Sequence, residues 1–146
     1  MYVTLEDCTT FLSTELWAEA WLTAEPENQQ KALNKAETII DSIQYVGDKL
    51  DSDQDNEFPR DHQETVPQDV IDACCLIALK LIEGRIPELD FGNGRIKSDS
   101  LASGKTTYEV YNTPQHYLFG VPSYEAWVKL VKYVDLDKCV ELNRVS

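Results

Sequence analysis

Positive charge is scarce in this chain. Its 146 residues carry 13 lysines and arginines against 26 aspartates and glutamates, a formal net charge of −13. A surface this acidic repels phosphate backbones at long range, so nucleic-acid binding by charge attraction is disfavoured. Histidine is scarcer still: only His62 and His116 occur, and neither has a second ligand at a metal-binding spacing. The four cysteines, Cys8, Cys74, Cys75 and Cys139, form no C-x-x-C pair. Cys74 and Cys75 are neighbours that point in different directions and cannot readily bridge. Small buried thiols in a reducing compartment are therefore expected. No secretory signal pattern opens the sequence, and cytoplasmic synthesis is the expectation.

What is present begins with one segment, Thr65 to Gly84. Between Val70 and Ile82 only Asp72 and Lys80 are charged. Pro67 suits the first helical turn and Asp69 the positive helix start, while Gly84 offers a left-handed stop. A helix apolar on nearly every side must be covered on more than one side. It is too short for a bilayer, which takes about 20 apolar residues. It is thus the central helix of a compact domain or a helix shared between subunits.

Other elements follow from spacing. Thr4 is the expected N-cap of a first helix whose Leu5, Cys8, Leu12 and Leu16 share a face, with Trp17, Ala20 and Trp21 continuing it past a break near Ser13-Thr14. Aromatics at such spacing are read as core rather than as stacking platforms. Pro26 opens a second helix with a stripe of Ala32, Leu33, Ala36, Ile39, Ile40 and Ile43, opposite a polar face of Asn28, Lys31, Asn34, Lys35, Thr38 and Asp41. Residues 48–64 form an acidic connection long enough to suggest disorder or ordering by a partner. Within it, Phe58-Pro59-Arg60 reads as a loop anchor, with an intermolecular contact as the alternative. Ile96 to Leu101 and Lys105 to Tyr111 suggest a hairpin around Ser103-Gly104, and such a pair needs cover from elsewhere. Ser123 caps a last helix with Tyr124, Trp127, Leu130, Val131 and Val134 on one face.

Catalytic and ligand motifs fail on inspection. Gly104-Lys105-Thr106 ends a phosphate-loop signature, but Asp99 stands where the motif needs glycine, and a strand rather than a helix follows. Asp51, Asp53 and Asp55 alternate like a calcium loop, yet Asn56 replaces the required glycine and His62 the required glutamate, leaving at most a weak cation site. The cysteines of the central helix should be buried and inert. No enzyme activity, cofactor or metal is expected.

In order, Thr4-Leu5-Glu6-Asp7, Trp21, Lys31-Ala32-Leu33-Asn34-Lys35-Ala36, Ile40-Asp41, Gly47, Phe58-Pro59-Arg60, Val66 to Cys74 and Ile96-Lys97-Ser98-Asp99 form a series closed by a short helix. From Tyr2 to Val134 this series resembles the head–tail connector (adaptor or head-completion) proteins of tailed bacteriophages. The resemblance implies a structural virion protein, made in the host cytoplasm and repeated as a homo-oligomeric, twelve-fold ring between the portal protein and tail components. DNA would pass the lumen without specific binding. The implied fold is mainly α: a small helical bundle with a β-hairpin insertion before the C-terminal helix. It forms one domain over 1–146, with the acidic loop 48–64, the hairpin 96–111 and a C-terminal arm 135–146. Phe58, Arg60, Tyr108 and Tyr111 are its candidate contacts. Some related phage proteins carry a primosome-type, single-stranded-DNA-binding label. That alternative requires basic grooves and exposed stacking aromatics.

Overall fold

A computed structural model describes residues 1–86 and 114–137. Its helices are α1 (Leu5–Leu12), α2 (Glu19–Thr23), α3 (Pro26–Asp41), α4 (Gln68–Ile82), α5 (Gln115–Leu118) and α6 (Tyr124–Leu130), the last followed by a 3-10 turn, Val131–Tyr133. The fold is mainly helical. Among the described residues there are only two isolated β-bridges and no strand. The expected hairpin 96–111 and most of the expected arm, residues 138–146, lie outside the described residues.

α4 is the central helix. It packs against α3 and α6 most extensively, and also against α1 and α2. Val70, Ala73, Cys74, Cys75, Leu76, Ile77, Ala78 and Leu79 are buried on successive faces, as a helix with almost no polar side requires. Gly84, at φ +84°, turns the chain away after it. The stripe on α3 behaves as its spacing dictates: Ala32, Leu33, Ala36 and Ile40 are buried, and Ile43 just beyond them. Burial pushes the Cys74 thiol far up; on Cys75 a hydrogen bond with the Cys8 thiol acts first and burial second. Both therefore stay protonated and unreactive.

At the N-terminal end the expected cap and the expected break near Ser13-Thr14 hold, and the expected place of Leu16 is corrected. Thr4 does cap α1, its Oγ1 accepting from the Asp7 N–H at 3.1 Å. The helix stops at Leu12. The Ser13 and Thr14 hydroxyls donate to the carbonyls of Thr10 and Phe11, each at 2.7 Å, competing with the helical ladder. The Glu15 N–H then bonds to Leu12 O at 3.0 Å in a turn. This resets the register. Leu16 is 88 % exposed instead of buried beside Leu12.

Residues 48–64 are ordered by the chain itself, where disorder or a partner was expected. Phe58 is only 2 % exposed, and its ring meets those of Tyr45, Tyr133 and Tyr2 edge-on at 4.6, 5.5 and 6.3 Å. A cis Phe58–Pro59 bond sits beside it. Arg60, 7 % exposed, donates through Nε to Val46 O at 3.1 Å, through Nη2 to Tyr45 O at 3.3 Å and to Gly47 O, and through Nη1 to the Glu57 carboxylate at 2.6 Å. One guanidinium thus satisfies three consecutive backbone carbonyls, which explains how a cation is buried without an orphaned group. Gly47 is required here: its φ is +82°, and a Cβ would lie 1.8 Å from Asp61 Oδ2. The segment after α3 is also tied to the end of α6, with the Val46 N–H donating to Tyr133 O at 2.8 Å and the Asp135 N–H to Gln44 O at 3.0 Å. Phe58 and Arg60, named as contact candidates, are internal for this reason.

Because Phe58 plugs the junction between the loop and the 3-10 turn, Phe58→Ala is expected to lower stability by about 3–5 kcal/mol. Urea unfolding followed by circular dichroism measures this, and a loss below about 1 kcal/mol would contradict the anchoring role.

Candidate functional site

The register break after α1 also decides where the tryptophans go. Trp21, on α2, is fully buried; its Nε1–H donates to Thr9 Oγ1 at 3.1 Å, and its carbonyl accepts from the buried Gln29 amide at 2.7 Å. Trp17, in the turn before α2, is 81 % exposed. The expectation that both would be core holds for Trp21 and fails for Trp17. An indole held open to water loses the apolar burial that normally places it inside.

Trp17 stands on the rim of a groove of about 470 Å³. Leu76, Leu79, Lys80 and Glu83 of α4 line it, with Arg85 just beyond the helix. Glu15 and Trp17 close one side. His116 and Tyr117 of α5, then Pro122 to Glu125 at the start of α6, close the other. Ser123 sets the α6 end, its Oγ accepting from the Ala126 N–H at 3.2 Å. This cap fixes Tyr124 at the first helical position, where it is 66 % exposed while Ala126, Trp127 and Leu130 turn inward. Tyr124 was expected on the buried face. A first-turn residue has no preceding turn to cover it, and its ring reaches over the groove instead.

The α5 residues are positioned by a tight return at Gly120. The Gly120 N–H donates to Tyr117 O at 3.0 Å and the Val121 N–H to His116 O at 2.8 Å. His116 lies between two tyrosines, its ring 4.6 Å from Tyr117 and 5.8 Å from Tyr124. Partial burial holds its pKa below the usual histidine range, so at neutral pH it presents an uncharged ring. Below this layer Phe119 stacks on Trp127 at 4.8 Å, and the Trp127 indole donates to Gln115 Oε1 at 3.2 Å.

The groove is aromatic rather than strongly charged. Lys80 and Arg85 face three carboxylates, Glu15, Glu83 and Glu125, and Lys80 already pairs with Glu83 at 3.3 Å. Such an arrangement suits a flat, π-faced ligand held mainly by stacking, with a cation or two for any attached anion. Among the described residues no group of three or more histidine, cysteine or acidic side chains is placed to hold a metal ion. In the Asp51-Asp53-Asp55 loop the Asp51 carboxylate accepts from the Asp53 N–H at 2.9 Å.

Neither Phe58 nor Arg60 lines this groove, and Tyr108 and Tyr111 lie outside the described residues. The residues that do line it, Trp17, Lys80, Arg85, His116, Tyr117 and Tyr124, were not singled out as site residues. Two local signals pointed to them. One is the Ser13-Thr14 pair ahead of Leu16-Trp17, which breaks the helix. The other is the Pro114 to Ser123 stretch, whose turns set out His116, Tyr117 and Tyr124.

Trp17→Phe is expected to remove the red-shifted, acrylamide-quenchable part of tryptophan emission, since Trp21 and Trp127 are buried. It should change stability by no more than about 0.5 kcal/mol. Quenching that persists unchanged in the variant would show that the exposed indole is not Trp17.

A family model described as "Putative DnaT-like ssDNA binding protein" matches residues 1–133, and the chain belongs to that family. No curated protein and no solved structure matches it. The match overturns the connector resemblance, and with it the structural ring, the portal and tail partners, and the expectation that DNA passes without being bound. The exposed Trp17 also removes the objection that the aromatics are all core.

Proposed function

We propose that this member of the DnaT-like family binds single-stranded DNA in the aromatic groove, as a binding protein without catalytic activity. Trp17 and Tyr124 act as stacking platforms for unpaired bases, with the His116–Tyr117 pair extending the aromatic wall. Lys80 and Arg85 approach the backbone phosphates. The observation that carries the reading is the exposure of two large rings on one groove: an indole and a phenol with most of their surface in water, beside two cations. Every base has a π-face, so stacking of this kind tolerates any sequence. Paired bases hide those faces, so duplex DNA is a poor ligand for the same groove.

Acidity of the whole chain sets the character of the binding. Long-range repulsion slows encounter and weakens attraction at low salt, so the affinity rests on desolvated contact between rings and bases more than on charge. Stacking contributes about 1–3 kcal/mol per base by alanine substitution. Fluorescence anisotropy with a labelled oligo(dT) tests the proposal. Trp17→Ala is expected to weaken binding roughly 5- to 150-fold while leaving the thermal unfolding profile intact. Tyr124→Ala should produce a loss in the same direction. Wild-type affinity in the Trp17 variant, or equal affinity of the wild-type protein for duplex and single strand, would overturn the assignment.

A further inference from the structure

Among the described residues lining the aromatic groove, three carboxylates outnumber two cations, a poor balance for meeting a phosphate backbone. A second groove, of about 600 Å³, lies against the other side of the same end of α4. Its floor is Leu81, Ile82 and Ile86, which alternate along the chain with the Lys80, Glu83 and Arg85 of the first groove. Its walls are Ala20, Thr23 and Ala24 of α2 and the segment after it, and Asn28, Lys31, Ala32 and Lys35 of α3. None of the described residues lining it is acidic, in a chain where acids outnumber cations 26 to 13. Lys31 and Lys35 are one helical turn apart and both exposed. Lys31 has one ion pair, with Glu27 at 3.2 Å, and both partners are largely in water. Pairs of that kind are weak and yield readily to a phosphate. Lys35 has no ion pair among the described residues.

We infer that this groove, with no acid among its described lining residues, is a phosphate-backbone subsite, over which the same DNA strand continues after leaving the aromatic groove. The inference rests on the single-stranded-DNA reading above and adds a division of labour to it. Bases are held by rings on one side of the α4 terminus, and backbone charge is met by Lys31 and Lys35 on the other. Only the width of one helix, about 10–12 Å, separates the two sides. The α2 corner joins them directly, since Trp17 borders the first groove and Ala20 the second.

Oligo(dT) of about 4 and about 16 nucleotides, spanning the range of single-domain site sizes, separates the two parts. The short strand fills the aromatic groove alone, and the long one reaches the lysines. In anisotropy titrations the full-length protein should bind the longer strand roughly tenfold or more tightly than the shorter. The double variant Lys31→Gln, Lys35→Gln should bring the long strand down to the short strand's affinity without affecting the short one. Its salt slope, log K against log[salt], should become shallower by about 1.4, from roughly 0.7 for each of two lost phosphate contacts. Wild-type affinity and slope in the double variant, with Trp17→Ala still weakening both strands, would overturn this subsite and leave the aromatic groove standing. Failure of the wild-type protein to bind either strand would overturn both.

Discussion

Everything in this fold follows from the need to cover α4. A fifteen-residue helix with apolar side chains on nearly all its faces has no stable place in water, and α1, α2, α3 and α6 pack around it. α3 lays its narrow stripe along one side and α6 along another, while α1 and α2 also pack against it. The outward face of α3 is polar and ends the core on that side, while α2 and α6 leave Leu22, Tyr124 and Val128 exposed. The loop between α3 and α4 is closed by the same logic on a smaller scale. Phe58 is buried among three tyrosine rings, and Arg60 gathers the carbonyls of Tyr45, Val46 and Gly47 that a turn of this shape leaves pointing inward.

The candidate site lies where that cover gives out. Toward its C-terminus α4 leaves the shelter of its neighbours: Leu81 and Ile82 are only partly buried, and Lys80 and Arg85 reach solvent. Two grooves flank this end, and they differ in chemistry because different helices supply their outer walls. The first takes exposed rings from the α1–α2 turn and from the α5–α6 corner. The second takes lysines from the polar face of α3. A ligand that is both aromatic and polyanionic uses both kinds of wall, and single-stranded DNA, which the family description names, is such a ligand.

The parts of this arrangement that were readable in the sequence are those fixed by local chemistry. The Thr4 and Ser123 caps, the α3 stripe and the all-round apolar α4 were legible because capping and periodicity act within a few residues. Arg60 and Phe58 were readable as a loop anchor, though not the three-carbonyl geometry, which depends on the fold of residues 45–47. Trp17 was misread because the same apolar face was carried on past the expected break at Ser13-Thr14, where two hydroxyls bond to backbone and the register is lost. Charge misled in a different way. A net −13 is a sum over the whole surface, and it says nothing about a groove whose described lining holds two lysines and no acid. The connector reading weighed that sum and the expected burial of both tryptophans against DNA binding, and the second argument holds for Trp21 but fails at Trp17.

The central claim is that unpaired bases stack on Trp17 while the core aromatics stay out of reach. Indole N–H resonances report this directly, since the three tryptophans sit in three distinct settings: Trp21 bonded to Thr9, Trp127 bonded to Gln115, and Trp17 in water. On titration with oligo(dT), the Trp17 indole signal is predicted to move progressively to saturation, with the Trp21 and Trp127 signals nearly fixed. A Trp17 signal that stays in place at saturating DNA would contradict the account.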